Sequence, residues 1–248
     1  MNTGFEIATA SHIGKHRPHN EDSVLTDKAL ALVVMADGMG GYRAGEVASA
    51  IAVTTIHQAI ETERLGKTKK RVDGHESGLI RRAINQANSN IYAMARSNPD
   101  CCGMGTTVIC SLLSGQKLFV GNVGDSRLYR YRDNNLEQIT RDHTLIQEMI
   151  DRGIYSPEEA NAKMPKNLVT RALGLENNVE VDIVEETIVT GDIYLLCTDG
   201  LNDMVNDEEI HLTLSKYSAN LAQAAGKLVQ LANHYGGKDN ISVALVRI

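Results

Sequence analysis

The sequence has 248 residues, of which 42% are hydrophobic and 23% are charged, and its 31 acidic and 25 basic residues give a formal net charge of −6. These proportions are close to those of average globular proteins, so they exclude collagen-like, coiled-coil and disordered chains. One basic cluster, at 67–71, lies among Gly and polar residues, which favours a solvated loop there over nucleic-acid binding.

No segment of the sequence indicates export or a membrane. Residues 1–11 lack the basic region and the apolar run of a secretory signal. The longest apolar run, 29–36, is far shorter than the roughly 20 residues that span a bilayer. The four cysteines are too few for a disulfide scaffold, match no paired zinc pattern, and are expected to be small buried residues: Cys101, Cys102, Cys110 and Cys197. We therefore expect a soluble, cytoplasmic protein.

Short runs rich in Val, Ile and Leu and bounded by Gly, Asp or Asn are typical of β-strands. Four such runs predict buried strands at 29–36, 117–123, 193–198 and 241–248. Further strands are predicted at 6–11, 107–113, 128–131 and 179–184. Strands are therefore expected over nearly the whole chain.

Apolar residues at helical spacing predict three helices. One begins after Gly45, one has Ser77 as its N-cap, and one lies behind Ser218. Each helix has one apolar stripe, and the helices do not alternate regularly with the strands. This order favours antiparallel sheets with helices packed on their outer faces.

The pattern changes to short helical pieces between residues 142 and 167. Ser156-Pro157-Glu158-Glu159 combines a capping Ser, a Pro at the first helical position and a Glu three residues after the Ser, which predicts a helix start. We interpret 142–167 as an insertion or flap over the sheet, within a single domain spanning 1–248.

Acidic residues stand at one end of each of the four buried strands. Asp37 and Asp199 are each followed by Gly, Asp125 follows Gly124, and Asp239 precedes the last strand. Each alone is more typical of an ordinary turn. Four together predict carboxylates gathered at one rim, which repel one another unless a cation compensates them. A site of oxygen ligands suits Mg²⁺ or Mn²⁺ and argues against zinc.

A second polar group lies upstream, at Arg17, Glu21 and Asp22. The guanidinium of Arg17 can bind phosphate oxygens in bidentate fashion. Glu21 and Asp22 can accept hydrogen bonds from water held by a metal. A surface ion pair is the alternative for these three residues taken alone.

The motifs in chain order resemble those of the type 2C metal-dependent serine/threonine protein phosphatases, and most closely the stand-alone bacterial members. They run from residue 17 to residue 240, and their order, residue types and approximate spacing all match. These motifs are Arg17-x-x-Asn20-Glu21-Asp22, Ala36-Asp37-Gly38-Met39-Gly40-Gly41 with Gly45-Glu46, Gly105-Thr106-Thr107, Gly121-Asn122-x-Gly124-Asp125-Ser126-Arg127, Thr198-Asp199-Gly200 and Asp239-Asn240.

This resemblance implies an α+β fold in which two antiparallel sheets form a sandwich with helices on both outer faces, and a mobile flap. It implies two Mn²⁺ or Mg²⁺ ions, with Asp37 bridging them, the Gly38 carbonyl binding one, and Asp199 and Asp239 completing the other. Asp125 would help to hold a third, weaker ion. The implied nucleophile is a hydroxide between the two ions, with Arg17 holding the phosphate. The implied clients are phosphorylated proteins, a serine/threonine kinase among them.

One position departs from the eukaryotic form of the family, in which a His follows Asp-Gly and protonates the leaving group. Met39 stands there in this chain, and a thioether cannot donate a proton. Water, a metal-bound water or another residue must then do so. His143 is the nearest candidate, and a structural or exposed His is the alternative.

Other phosphatase mechanisms do not fit the sequence. None of the four cysteines is followed six residues later by Arg, and no P-loop motif occurs. A catalytically silent module that binds phosphoproteins, or a small-molecule phosphatase on the same scaffold, remains as an alternative. We expect a monomer, because no heptad pattern or long apolar edge is visible.

Overall fold

The computed structural model, which describes residues 4–40, 44–66, 75–165 and 168–248, contains two antiparallel sheets. The first sheet has the strand order β1 (Glu6–His12), β11 (Ile241–Arg247), β10 (Ile193–Cys197), β7 (Arg127–Arg132) and β8 (Asn135–Gln138). The second has the order β2 (Asp22–Asp27), β3 (Leu32–Met39), β5 (Val108–Ser114), β6 (Lys117–Val123) and β9 (Asp182–Thr187). A two-residue strand, β4 (Gly105–Thr106), pairs with the end of β3.

Helices cover the outer face of each sheet. On the second sheet lie α1 (Ala44–Leu65) and α2 (His75–Ser97), and on the first lie α6 (Asp207–Tyr217) and α7 (Leu221–His234). Three short helices stand elsewhere: α3 (Leu145–Asp151) and α4 (Pro157–Lys163) between β8 and β9, and α5 (Asp199–Asn202) directly after β10. A 3-10 turn occupies Pro99–Cys101.

The apolar core has three layers because side chains alternate across each strand. In β3, Val34 packs towards α1 and α2, whereas Val33 and Met35 pack between the two sheets. Tyr194 and Leu196 of β10 enter the same inter-sheet layer from the opposite side. The result is the predicted sandwich of two sheets between outer helices.

All eight predicted strands are present, with shifts in their bounds. The prediction at 117–123 matches β6, but the predictions at 29–36 and 179–184 begin three residues before β3 and β9. Residues 29–31 instead form the turn after β2, where Asp27 Oδ1 accepts hydrogen bonds from two backbone N–H groups and Ala31 has a φ of 54°. The strands β2, β4 and β8 were not predicted.

One predicted helix cap is wrong, because Ser77 lies inside the first described turn of α2, where its hydroxyl donates to Glu185. The helix predicted behind Ser218 is present as α7, which begins at Leu221 and is capped by Asn220. The predicted start at Ser156 is confirmed, since its hydroxyl accepts from the backbone of Glu159 and the Glu159 carboxylate accepts in return. The helices α5 and α6 were not predicted.

Some predictions fall outside the described residues, namely the basic loop at 67–71, Gly41 and the last residues of the 142–167 segment. Cys101, Cys110 and Cys197 are buried as expected, but Cys102 is exposed. Among the described helices, none is long and apolar enough to cross a membrane.

Candidate active site

A cleft of about 340 Å³ opens where β3, β6 and β10 end and β11 begins. All four acids predicted at the strand ends reach it, and so do Arg17 and Glu21 from the loop between β1 and β2. The lining residues are Arg17, Glu21, Asp37, Gly38, Met39, Gly40, Thr107, Asp125, Leu168, Val169, Asp199 and Asp239.

Asp37 stands near the end of β3 with its backbone fixed on both sides. Its carbonyl accepts from the Thr107 N–H at 2.9 Å and from the Thr106 hydroxyl at 2.8 Å, and its own N–H donates to Thr107 Oγ1 at 3.2 Å. Because both polar groups of the peptide are satisfied, the carboxylate is presented to the cleft from a rigid base.

Two glycines allow the acid-bearing loops to approach each other. A Cβ on Gly38 would lie 2.1 Å from the carbonyl oxygen of Gly45, and a Cβ on Gly200 would lie 1.9 Å from that of Asn240. Neither distance is possible for a real side chain. The Asp-Gly pairs therefore serve close packing of the backbone around the cleft.

The loop carrying Asp125 is joined to Asp37 through hydroxyl groups. Ser126 Oγ and Thr107 Oγ1 are 2.9 Å apart, and Thr107 Oγ1 also accepts from the Asp37 N–H. Asp125 itself is 6% exposed. The acids after β3 and β6 thus belong to one hydrogen-bonded unit.

Asn240 joins the terminal strand to the loop that carries Arg17. Its Oδ1 accepts from the Glu21 N–H at 2.7 Å, and its Nδ2 donates to the carbonyls of Ile13 and His19 at 2.9 Å each. Next to it, Asp239 Oδ2 accepts from the Arg17 guanidinium at 2.5 Å. That hydrogen bond raises the pKa of Arg17 further above its ordinary value.

Electrostatics oppose the ionised form of the acids. Burial first, and then the neighbouring carboxylates, raise the pKa of Asp37 and Asp199 well above the ordinary value. Burial also raises the pKa of Asp125 to about 6, with a further contribution from the Asp142 carboxylate. A divalent cation would relieve this repulsion.

The two acids predicted beside Arg17 have different positions. Glu21 lines the cleft, and burial raises its pKa. Asp22 lies behind Asp37, opposite it in the β2–β3 register, with Oδ2 accepting from the Thr198 hydroxyl at 3.0 Å. Burial raises the pKa of Asp22 to about 7.

The donor set fits a hard divalent cation. Three buried carboxylate oxygens find no hydrogen-bond partner among the described residues: Glu21 Oε1, Asp22 Oδ1 and Asp199 Oδ1. The cleft offers carboxylate and carbonyl oxygens, which Mg²⁺ and Mn²⁺ prefer. Within the described ranges, no three acidic, His or Cys side chains already stand in a coordinating arrangement, and Arg17 instead binds Asp239. The oxygen donors at the cleft therefore fit Mg²⁺ or Mn²⁺.

One acid of this cluster, Asp203, was not predicted from the sequence. Asp203 follows α5, and its carboxylate contributes to the raised pKa values of both Asp125 and Asp199. It stands four residues after Asp199, one helical turn along, and that spacing was the available signal.

The structure does not favour His143 as a proton donor to the leaving group. It is 5% exposed and does not line the cleft, and both ring nitrogens have protein partners. The alternative of a structural His fits this geometry. Met39 does line the cleft and cannot donate.

Residues 9–234 match the family Protein phosphatase 2C, and the chain belongs to that family. Its fold and its cleft of clustered acids agree with this membership, which confirms the resemblance carried by the sequence motifs.

Bacterial serine/threonine phosphatases are among the most similar proteins. The serine/threonine phosphatase stp of Listeria welshimeri is 39% identical over 236 residues, which are 94% of this chain and 92% of that protein. The crystal structure of the Mycobacterium tuberculosis serine/threonine phosphatase PstP/Ppp has a TM-score of 0.88 at 37% identity and covers 98% of each chain. A structure of the PstP catalytic domain in complex with two manganese ions has a TM-score of 0.85 at 37% identity and covers 98% of this chain and 97% of that one.

Proposed function

We propose that this protein hydrolyses phosphoserine and phosphothreonine esters of proteins with the help of divalent metal ions. The observation that carries the proposal is the convergence of Asp37, Asp125, Asp199 and Asp239 with Arg17 on one cleft. Membership of the protein phosphatase 2C family and the similarity to bacterial serine/threonine phosphatases support it. The two manganese ions in the PstP catalytic domain support Mn²⁺ or Mg²⁺ as the cofactor.

The metal-holding groups in this proposal are the carboxylates of Asp37, Asp199 and Asp239 and the carbonyl of Gly38. Asp125 would help to hold a further, weaker ion. When bound, such ions lower the pKa of water at the cleft and neutralise phosphate charge. The backbone bonds from Thr106 and Thr107 keep Asp37 in position during the reaction.

Arg17 binds the phosphate oxygens of the substrate in this mechanism. Its side chain is 49% exposed, so the guanidinium can leave Asp239 and turn towards an incoming phosphoester. The planar fork then pairs with two phosphate oxygens and offsets charge that develops in the transition state. Neither Met39 nor the buried His143 supplies a proton, so the leaving alkoxide takes its proton from water.

We also propose how the chain is organised and which molecules are its substrates. Residues 1–248 form one catalytic domain, in which 142–167 acts as a flap beside the cleft, since Leu168 and Val169 at its base line that cleft. The clients are phosphorylated proteins in the cytoplasm, among them a serine/threonine kinase and its targets, and the enzyme acts as a monomer. Because these substrates are a kinase and its targets, their dephosphorylation reverses kinase signalling.

The test is hydrolysis of a phosphothreonine peptide with and without millimolar Mn²⁺, beside the Asp37→Asn and Asp239→Asn variants. We expect activity that requires the metal and is lost in both variants. The matched control is Asp27→Asn, because Asp27 pairs with His57 at 2.8 Å and does not line the cleft. Metal binding without release of phosphate would contradict the proposal and favour a silent binding module. Preference for metabolite esters over peptides would favour a small-molecule phosphatase.

A further inference from the structure

His143 occupies a junction beneath the cleft that the proposed mechanism does not use. The backbone N–H of His143 donates to the Gly124 carbonyl at 3.0 Å. The ring Nδ1 of His143 accepts from the Gly124 N–H, also at 3.0 Å. The two bonds form a closed pair between one residue and the glycine that precedes Asp125. The loop carrying Asp125 cannot shift without breaking both of them.

Gly124 stands at a position that requires glycine, and few other bonds hold its backbone. Its φ is 110°, in the region that favours glycine, and a Cβ there would lie 2.5 Å from Thr107 Cβ. Asn122 adds a weaker contact, since its Nδ2 lies 3.4 Å from the Gly124 carbonyl. The bonds from His143 are therefore the main constraint on the Gly124 peptide.

Backbone hydrogen bonds at and next to His143 join the two ends of the segment that contains α3 and α4. Its carbonyl accepts from the Thr170 N–H at 2.8 Å, and the Leu145 N–H donates to the Leu168 carbonyl at 2.9 Å. Residues 143–145 and 168–170 thus lie side by side, and we call them the neck. Leu168 and Val169 of the neck line the cleft.

The ring of His143 is held in one orientation. Nδ1 accepts a hydrogen bond from the Gly124 N–H, and Nε2 lies 3.1 Å from Asp182 Oδ2 and 3.4 Å from Arg171 Nη1. The other oxygen of Asp182 accepts from Arg171 at 3.0 Å. One residue upstream, Asp142 accepts from Arg127 Nε at 2.9 Å and from its Nη2 at 2.6 Å. The chain is thus anchored immediately before the neck.

We propose that His143 is a positioning residue that fixes the Asp125 loop to the neck. Its backbone bonds to Thr170 and its imidazole bonds to the Gly124 N–H, so metal binding at Asp125 depends on the imidazole. This role rests on the proposed function for the reaction, but all the contacts that support it lie within this chain. Partners that orient metal ligands typically change metal affinity or activity by about 10–100-fold when they are removed.

The experiment compares His143→Ala, His143→Gln and His143→Asn. An Asn side chain can place an acceptor near the position of Nδ1 and restore the bond from the Gly124 N–H, whereas Gln places its amide nearer the position of Nε2. We expect the weakest Mn²⁺ binding event, measured by titration calorimetry, to weaken by about 10–100-fold in the Ala and Gln variants. The Asn variant should stay close to wild type, and the Mn²⁺ dependence of phosphopeptide hydrolysis should follow the same order.

The control is His57→Ala, which removes a half-buried histidine that pairs with Asp27 outside the cleft. It should lower the melting temperature without changing Mn²⁺ affinity. Equal Mn²⁺ affinity in all the His143 variants, or equal losses in Asn and Gln, would overturn the proposal. If His143→Ala does not fold, the comparison of Asn with Gln decides. Wild-type protein that binds Mn²⁺ but hydrolyses no phosphopeptide would refute the function, while the calorimetry would still test the role of His143.

Discussion

Asp37 shows the conflict between stability and function at the scale of one residue. Burial and the surrounding carboxylates raise its pKa, so its charged form is costly in the metal-free protein. The backbone bonds from Thr106 and Thr107 nevertheless fix it at the cleft. Sites that hold such charges lose stability in return for function.

We expect Asp37→Asn to raise the melting temperature of the metal-free protein at neutral pH, because it removes a buried charge from a repelling cluster. It should also lower phosphopeptide hydrolysis by more than about 100-fold, because a ligand matters more than the outer partners that orient it. Differential scanning calorimetry and a phosphate-release assay measure the two effects. In contrast, Asp27→Asn should lower the melting temperature, since the hydrogen bond from His57 lowers the pKa of Asp27. A less stable Asp37→Asn protein would contradict the electrostatic argument.

A substitution at Arg17 can test the geometry of phosphate binding separately from the positive charge of the side chain. Arg17→Lys keeps the positive charge but loses the planar fork, so a bidentate contact with phosphate becomes a single one. Hydrogen bonds to charged groups contribute about 1.5–3 kcal/mol, which corresponds to a loss of kcat/KM of about 10–100-fold. Steady-state kinetics with phosphothreonine peptide measure this loss. Unchanged kinetics in Arg17→Lys would indicate that Arg17 only pairs with Asp239.

The individual acidic residues of the cleft could be predicted from the sequence, but the hydrogen bonds that hold them in position could not. Asp followed by Gly at the ends of apolar runs is a local signal, and Asp37 and Asp199 were found from it. Asn240 bonds to Glu21, Ile13 and His19, more than 200 positions away, so its role depended on the fold. The burial of His143 likewise could not be read from its neighbours in sequence.

Among the secondary-structure elements, burial on both faces decided which strands could be predicted. β6, β10 and β11 are buried along nearly their whole length and stand out as apolar runs. β2 and β8 are edge strands with no fully buried residue, and their polar residues concealed them. Only three residues of α6 are buried, so its apolar stripe was too sparse to recognise.

The turn between β6 and β7 depends on glycine at position 124. Gly124→Ala should destabilise the fold by about 1–3 kcal/mol, because the backbone is held in a strained region and the new Cβ would contact Thr107. Gly115→Ala is the matched control, since Gly115 has a φ of 61° and open space around it. Its cost should be limited to about 1–2 kcal/mol of left-handed backbone strain. Urea denaturation measures both, and equal costs would show that the contact with Thr107 is unimportant.

For the whole molecule, the acid cluster predicts how pH and metal act together on stability. Asp125 and Asp22 have an ordinary pKa of 3.8, which the fold raises to about 6 and about 7. Between these values the folded state binds more protons than the unfolded state, so the contribution of these acids to stability falls as pH rises. The loss covers the range from about pH 4 to about pH 7.

Mn²⁺ should reverse that loss because it favours the deprotonated acids. We therefore expect Mn²⁺ to raise the melting temperature more at about pH 7.5 than at about pH 5.5. Thermal scans at fixed Mn²⁺ concentration check this, with Asp37→Asn as the variant in which the pH dependence should be weaker. An equal increase at both pH values would show that proton release does not accompany binding.

The position of β11 has a consequence for protein synthesis. This strand lies between β1 and β10, and Asp239 and Asn240 directly precede it. A ribosome releases residues in order, so β1 waits for its partner until residues 241–247 have emerged. Until then the first sheet has a gap, and the cleft lacks Asp239 and the contacts that Asn240 makes with the Arg17 loop. A partly synthesised chain that lacks residues 239–247 therefore has no complete catalytic centre.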